Sequence, residues 1–233
     1  MMVIIVFLIM MVLMVLPVYI LGRYVYNSDI NKESKKILKK IMIFGMVLAI
    51  IAGICSNVIL RIFPDTSSIW DKIFHYFIAI ALIEEFSKFL PGYFIGVKSS
   101  EFDEVYDAIV YMAFSALGFA LIENIFYVSQ GSLFTAISRF IFTVPMHVSC
   151  EIIMGYFIGI AYKKINNGNK FYYFLNMFFS ILVPTLYHGL FDFGLNYSYT
   201  FEVIVLILDI FIIIWSIFKV KAVSKEQEKI NIK

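Results

Sequence analysis

Glu84-Glu85-Phe86-Ser87-Lys88 lies inside a run, residues 73–95, that is otherwise apolar enough to cross a bilayer. Each Asp or Lys placed at the centre of a membrane helix costs roughly +2.5 to +3.5 kcal/mol on insertion scales, so three ionisable side chains within five residues need partners or a task. Lys88 is three residues from Glu85 and four from Glu84, within reach of both on one helix face. It supplies the electrostatic support that keeps at least one of the glutamates ionised.

The rest of the chain has the same membrane character. Of its 233 residues, 61% are hydrophobic and only 15% charged, with a mean hydropathy of +0.88. This composition describes a polytopic membrane protein. The predicted fold is all-α: one integral membrane domain, residues 1–233, built as a bundle of about seven spans. These cover about residues 2–21, 41–62, 73–95, 105–128, 139–162, 171–196 and 201–220, with the polar core motifs between 84 and 192. The first span lacks a basic leader and a small-residue cleavage site and reads as a retained helix. Pro91-Gly92 predicts a bent or broken last turn for span 3. Cys55 and Cys150 fall inside spans and read as packing side chains, not as a disulfide pair. A net charge of +2 gives no footprint for nucleic acid.

Lysine and arginine cluster in the loops after spans 1 and 5 and in the tail, and are sparse in the loops after spans 2, 4 and 6. The positive-inside rule then places the odd loops and the C-terminus in the cytoplasm and the N-terminus outside. Counting at about 1.5 Å per residue from the outer helix ends puts Glu84 and Glu85 at about 16 to 18 Å, Glu123 at about 8 Å, and His147 and His188 at about 12 Å. Asp192 lies one turn above His188. Polar residues from four spans thus fall in the outer half of the membrane or near its midplane.

Spacing adds detail. His188 and Asp192 are four apart, as are His147 and Glu151, which predicts a carboxylate partner for each imidazole. Glutamates and carboxylate-backed histidines are the parts needed to activate water. In one version a glutamate is the general base on a peptide carbonyl, and the second histidine or Asn124 stabilises the oxyanion. In the other, two histidines and a glutamate, drawn from Glu85, Glu123, His147 and His188, hold a zinc ion. The chain has no HExxH motif, and both versions stay open. Arg139 either snorkels to the headgroups or fixes Glu123 or a substrate carbonyl. Asp103, Glu104 and Asp107 read as caps for span 4, and His75, among Phe74, Tyr76 and Phe77, as an interfacial anchor.

The ordered set of motifs resembles the PrsW-type intramembrane protease family, which is similar to the type II CAAX prenyl proteases and bacteriocin-processing enzymes. It comprises Glu84-Glu85-Phe86-Ser87-Lys88, then Glu101-Phe102-Asp103-Glu104 with Asp107 to Tyr111, then Gly118-Phe119-Ala120-Leu121-Ile122-Glu123-Asn124 with Tyr127, then Arg139, His147 with Gly155, and His188 followed by Asp192. The resemblance implies a multi-pass protease of the bacterial cell membrane, active in stress response. Its substrate would be a single-pass membrane-anchored anti-sigma factor, which it cuts first, at site 1, on the extracytoplasmic side. Glu84 and Glu85 match the family's essential pair, Glu123 the glutamate of the second motif, and His147 and His188 the later histidines. Lys88 three residues after Glu85, and Glu123 where the prenyl proteases carry histidine, argue against prenylated substrates. The competing readings are a proton- or cation-coupled transporter and an immunity protein using the same buried Glu/His/Lys cluster.

Overall fold

A computed structural model describes residues 2–64, 68–166 and 168–231. The chain is helical nearly throughout, and no strand occurs among the described residues. The elements are α1 (Met2–Ser28), α2 (Lys35–Ile62), α3 (Ile69–Ile73), α4 (Ile83–Pro91), α5 (Val105–Gln130), α6 (Leu133–Ser138), α7 (Val144–Asn166), α8 (Lys170–Tyr197) and α9 (Tyr199–Asn231). Three stretches between them, Phe74–Leu82, Gly92–Val97 and Arg139–Thr143, are wound as wider π-helix and join their neighbours without a break. The paths 69–97 and 133–166 are therefore each one continuous rod.

Among the described residues, six helices are long and apolar enough to cross a membrane. The seventh rod, 69–97, has the length, but Glu84, Glu85 and Lys88 interrupt its apolar run. This is the predicted polytopic bundle. Its boundaries differ in places. Pro91 does not break the third span: the helix passes through it into Gly92–Val97, where the wider winding accommodates the missing N–H. The lysine-rich segment before span 2 is helical from Lys35, because Ser34 accepts a hydrogen bond from the Ile37 N–H at 3.3 Å. The fifth span begins earlier, at Leu133, capped by Ser132. The last helix continues beyond Val220 into the basic tail. Cys150 is buried and Cys55 exposed, and neither forms a disulfide.

α5 is the axis of the bundle, packed by α2 on one side and α7 on the other. It is buried along most of its length, and small residues let its neighbours come close. A Cβ on Gly118 would lie 2.0 Å from the Met42 carbonyl oxygen of α2. One on Gly155 of α7 would lie 2.6 Å from the Ala108 carbonyl oxygen of α5. At one end of the bundle the loops after α1 and before α5 are clasped together. Glu101 accepts from Ser34 at 3.2 Å, Glu104 from Asn31 at 2.5 Å and from Gln227 of α9, and Glu33 from the Tyr111 hydroxyl. Asp107 accepts from the backbone N–H groups of Asp103 and Glu104 at 2.9 and 2.7 Å, the capping role expected of it. The basic loop and the C-terminal helix thus share one end.

Gly118→Val is expected to lower the thermal midpoint of the detergent-solubilised protein by several degrees, through the α2–α5 contact. Gly53→Ala, at a glycine whose Cβ would meet nothing within 4 Å, should leave it unchanged. Equal midpoints for the two variants would remove the close approach as the reason for Gly118.

Candidate active site

Four helices bring the polar residues together: α4 supplies Glu84, Glu85 and Lys88, α5 supplies Glu123 and Asn124, α7 supplies His147, and α8 supplies His188 and Asp192. Arg139 comes from the π-wound turn that leads into α7. The depth count from loop charge and the contacts in space therefore select the same residues.

Lys88 is the centre. Its Nζ lies 2.5 Å from Glu85 Oε1, with both side chains fully buried, and 2.9 Å from His147 Nδ1. It also stands 5.0 Å over the Phe119 ring, and Ser115 of α5 donates to the Lys88 carbonyl at 2.6 Å. An ammonium has only protons to offer, so His147 Nδ1 must accept, and its Nε2–H donates to Glu123 Oε2 at 2.6 Å. Arg139 holds the same carboxylate oxygen through Nη2 at 3.2 Å. The guanidinium is anchored by Nε to Asn124 Oδ1 at 2.6 Å and lies 4.6 Å from the Tyr127 ring centre. All the hydrogen bonds to Glu123 use Oε2.

His188 faces both members of the glutamate pair. Nδ1 lies 2.7 Å from Glu85 Oε1, while Nε2 faces Asp192 Oδ2 at 3.3 Å and Glu84 Oε2 at 3.8 Å. With its proton on Nδ1, the ring points a lone pair at two carboxylates. A proton or a metal ion would satisfy that point. Glu84 Oε2 is buried with no hydrogen-bond partner. Glu84, His147 and His188 each offer one ligand atom, all within 4.8 Å of one another. Two histidines and a glutamate are the donor set of many catalytic zinc sites, and the unpartnered oxygen adds to the fit. Of the three, His147 has both ring nitrogens engaged, so ligation exchanges one of its hydrogen bonds. The set differs from the sequence expectation by taking Glu84, while Glu85 and Glu123 are occupied in holding the two histidines.

A cavity of about 660 Å³ opens beside the cluster, between α2, α5 and the 69–97 rod. Glu84 and Glu123 line it together with Ile80, Phe119, Ile122 and Asn57. Glu85, Lys88 and His147 lie behind this wall.

Two expectations need correction. Glu151 is not the partner of His147. It is fully buried and lies instead beside Glu85 and Lys88. The imidazole instead turns to Lys88 and α5, where Glu123 takes the role. Asn124 is not placed as an oxyanion donor: it is buried and does not line the cavity, its Nδ2 donates to the Met14 carbonyl of α1 at 3.1 Å and its Oδ1 accepts from Arg139. The residue fixes Arg139 and so, indirectly, Glu123. Asp192 does come within reach of His188, as their spacing predicts. His75 lies outside the cluster, with its ring 4.6 Å from that of Tyr76. Ser115, which ties α4 to α5, was missed. A lone serine in an apolar helix carries no signal of that kind.

A protein-family model described as PrsW family intramembrane metalloprotease matches residues 33–218. The chain belongs to the PrsW protease family. Protease PrsW of Clostridioides difficile is 34% identical over 210 residues, covering 88% of this chain and 86% of the relative. Protease PrsW of Oceanobacillus iheyensis is 31% identical over 210 residues, covering 90% and 93%. That of Geobacillus kaustophilus is 40% identical over 116 residues, about half of each chain. No solved structure matches. As a PrsW family member the chain is a multi-pass intramembrane protease of the bacterial membrane, and its cluster of glutamates and histidines is the candidate catalytic centre.

The geometry ranks the two acids considered as partners of His147. Glu123→Gln should cut substrate turnover on the order of a hundredfold or more, the scale of losing a general acid–base group. Glu151→Gln keeps the volume and should leave turnover within about threefold. Rates measured on purified variants that elute as the wild type check this. The reverse ranking would restore Glu151 as the partner.

Proposed function

We propose that this protease makes the first cut in a single-pass, membrane-anchored anti-sigma factor, near the outer face of the membrane. The observation that carries the reading is the cavity beside the cluster: its walls are largely apolar, and Glu84 and Glu123 stand on them at the end of a buried chain of charged hydrogen bonds. An unwound segment of a substrate helix fits such a space, and the apolar walls suit its side chains. The loop charges support an outward-facing site, with the N-terminus outside and the C-terminus in the cytoplasm.

Glu84, His147 and His188 would hold a zinc ion, which when bound lowers the pKa of a ligated water and polarises the scissile carbonyl. Glu85 is the positioning residue for His188: its Oε1 accepts a hydrogen bond from Nδ1–H, fixes the tautomer and turns Nε2 toward Glu84. Glu123 is the general base. Arg139 fixes it through Oε2, which leaves Oε1 to take a proton from water as the oxygen adds to the peptide carbonyl. The same carboxyl then delivers that proton to the departing amide nitrogen as the C–N bond breaks, which completes hydrolysis. Lys88 holds Glu85 and His147 in register and touches no substrate.

The test is to incubate the purified protein in detergent with candidate anti-sigma factors, with and without a strong zinc chelator, and to identify the fragments by mass. Cleavage should map to the outer end of the substrate's membrane segment. Glu84→Ala, Glu123→Gln and His188→Ala should each abolish it, and chelation should stop it until zinc is restored. The wild-type protein should retain zinc by elemental analysis, and His188→Ala should not. Full activity of Glu123→Gln would sink the base assignment, chelator-resistant activity would sink the zinc set, and a cytoplasmic cut would sink the topology.

A further inference from the structure

A second cavity, of about 620 Å³, lies between α1, α2 and α5 at the end of the bundle that carries the basic loop. It contains none of the residues of the catalytic cluster. Its inner walls are apolar, formed by Val15, Leu117 and Leu121 among others, and its mouth carries Arg23, Lys35 and Lys39. All three cations are exposed, and no carboxylate lines the cavity. The gap exists because α1 and α2 each pack on α5 and barely on each other.

We infer that this groove binds an anionic phospholipid, with one acyl chain between α1 and α2 and the phosphate on Arg23, Lys35 and Lys39. The dimensions agree. From Asn27 at the mouth to Val15 at the inner end, α1 advances about 18 Å, close to the half-thickness of about 15 Å of a bilayer's hydrocarbon. Cations at one end and hydrocarbon along the remainder are the two halves of a phospholipid, and basic pockets between membrane helices recognise anionic headgroups by the same arrangement. Arg23 is oriented for this. Its Nη1 donates to Tyr19 at 2.9 Å, one turn along α1, and its other guanidinium donors remain for a phosphate. A filled gap also gains the dispersion contacts that α1 and α2 do not give one another. The same helix accepts the hydrogen bond from Asn124, so a lipid that seats α1 on α5 also supports the anchor of Arg139.

The experiment uses the full chain, delipidated in non-ionic detergent and titrated with phosphatidylglycerol, with phosphatidylcholine of the same acyl chains, or with glycerol phosphate. Thermal midpoints and bound lipid retained in native mass spectra are the readouts. Phosphatidylglycerol should raise the midpoint and remain bound, while phosphatidylcholine and glycerol phosphate should do neither. The triple variant Arg23→Gln, Lys35→Gln, Lys39→Gln should lose on the order of a hundredfold in apparent affinity for phosphatidylglycerol. Lys163→Gln with Lys164→Gln, a basic pair elsewhere, should lose none. The proposal is overturned if the two lipids behave alike, if the triple variant keeps the preference, or if glycerol phosphate alone reproduces the effect, which would make this a simple anion site. A photoreactive residue at position 121 that captures a substrate helix in place of lipid would also overturn it.

Discussion

The buried ammonium of Lys88 is the constraint on which the other contacts depend. A charge removed from water at membrane depth is tolerated only where partners replace its hydration, and here Glu85, His147 and the face of Phe119 do so. Each partner belongs to a different setting: Glu85 shares the helix of Lys88, Phe119 is on α5 and His147 on α7. Satisfying one cation therefore fixes the mutual rotation of three helices. The effect propagates, because a donor-only neighbour at Nδ1 sets the tautomer of His147. The tautomer sends Nε2–H to Glu123, and Arg139 completes the shell of that carboxylate. On the other side Glu85 passes the constraint to His188 on α8. The two walls of the site are ordered by one residue that the cavity never exposes.

Close backbone approach makes this possible. Side chains as short as glutamate and histidine bridge helices only where the axes are near, and the glycines that face Met42 and Ala108 allow α2 and α7 to lie against α5. The π-wound turns have a related role. One precedes Glu84 and another precedes His147, and each adds residues to a turn, which changes the face on which the following side chains emerge. Such turns cost regular hydrogen-bond geometry and are found where a functional face has to be re-aimed.

This winding also explains what the sequence made legible and what it did not. The bundle, its spans and the membership of the polar cluster could be read because an ionisable group inside hydrocarbon is anomalous wherever it occurs, and loop charge supplies a common depth scale. The partner of each residue could not. Spacing of four along α7 permits His147 to meet Glu151, yet the choice between Glu151 and Glu123 is made between helices, after a π turn whose effect on phase no periodicity shows. Asn124 was misread for a similar reason: its amide is consumed by the carbonyl of Met14, far away in sequence. Pro91 signalled a break by the ordinary rules, but the wider winding after it absorbs the missing donor.

The adjacency of Glu84 and Glu85 now has a geometric meaning. Neighbouring residues on a helix point about 100° apart, so two adjacent carboxylates cannot both face one cavity. Glu85 points into the core, fully buried against Lys88, and Glu84 points to the cavity with its side chain 13% exposed. His188 lies across from the edge between these two directions, with one ring nitrogen on each glutamate. An imidazole is the side chain suited to that position, since its two nitrogens diverge and the state of one is coupled to the partner of the other. The inner glutamate fixes the proton on Nδ1, and that frees Nε2 for whatever the outer glutamate holds. In the proposed mechanism the pair is therefore a single device in which a buried, neutralised carboxylate prepares the ring and a partly exposed one works beside it. That division requires the two residues to be consecutive.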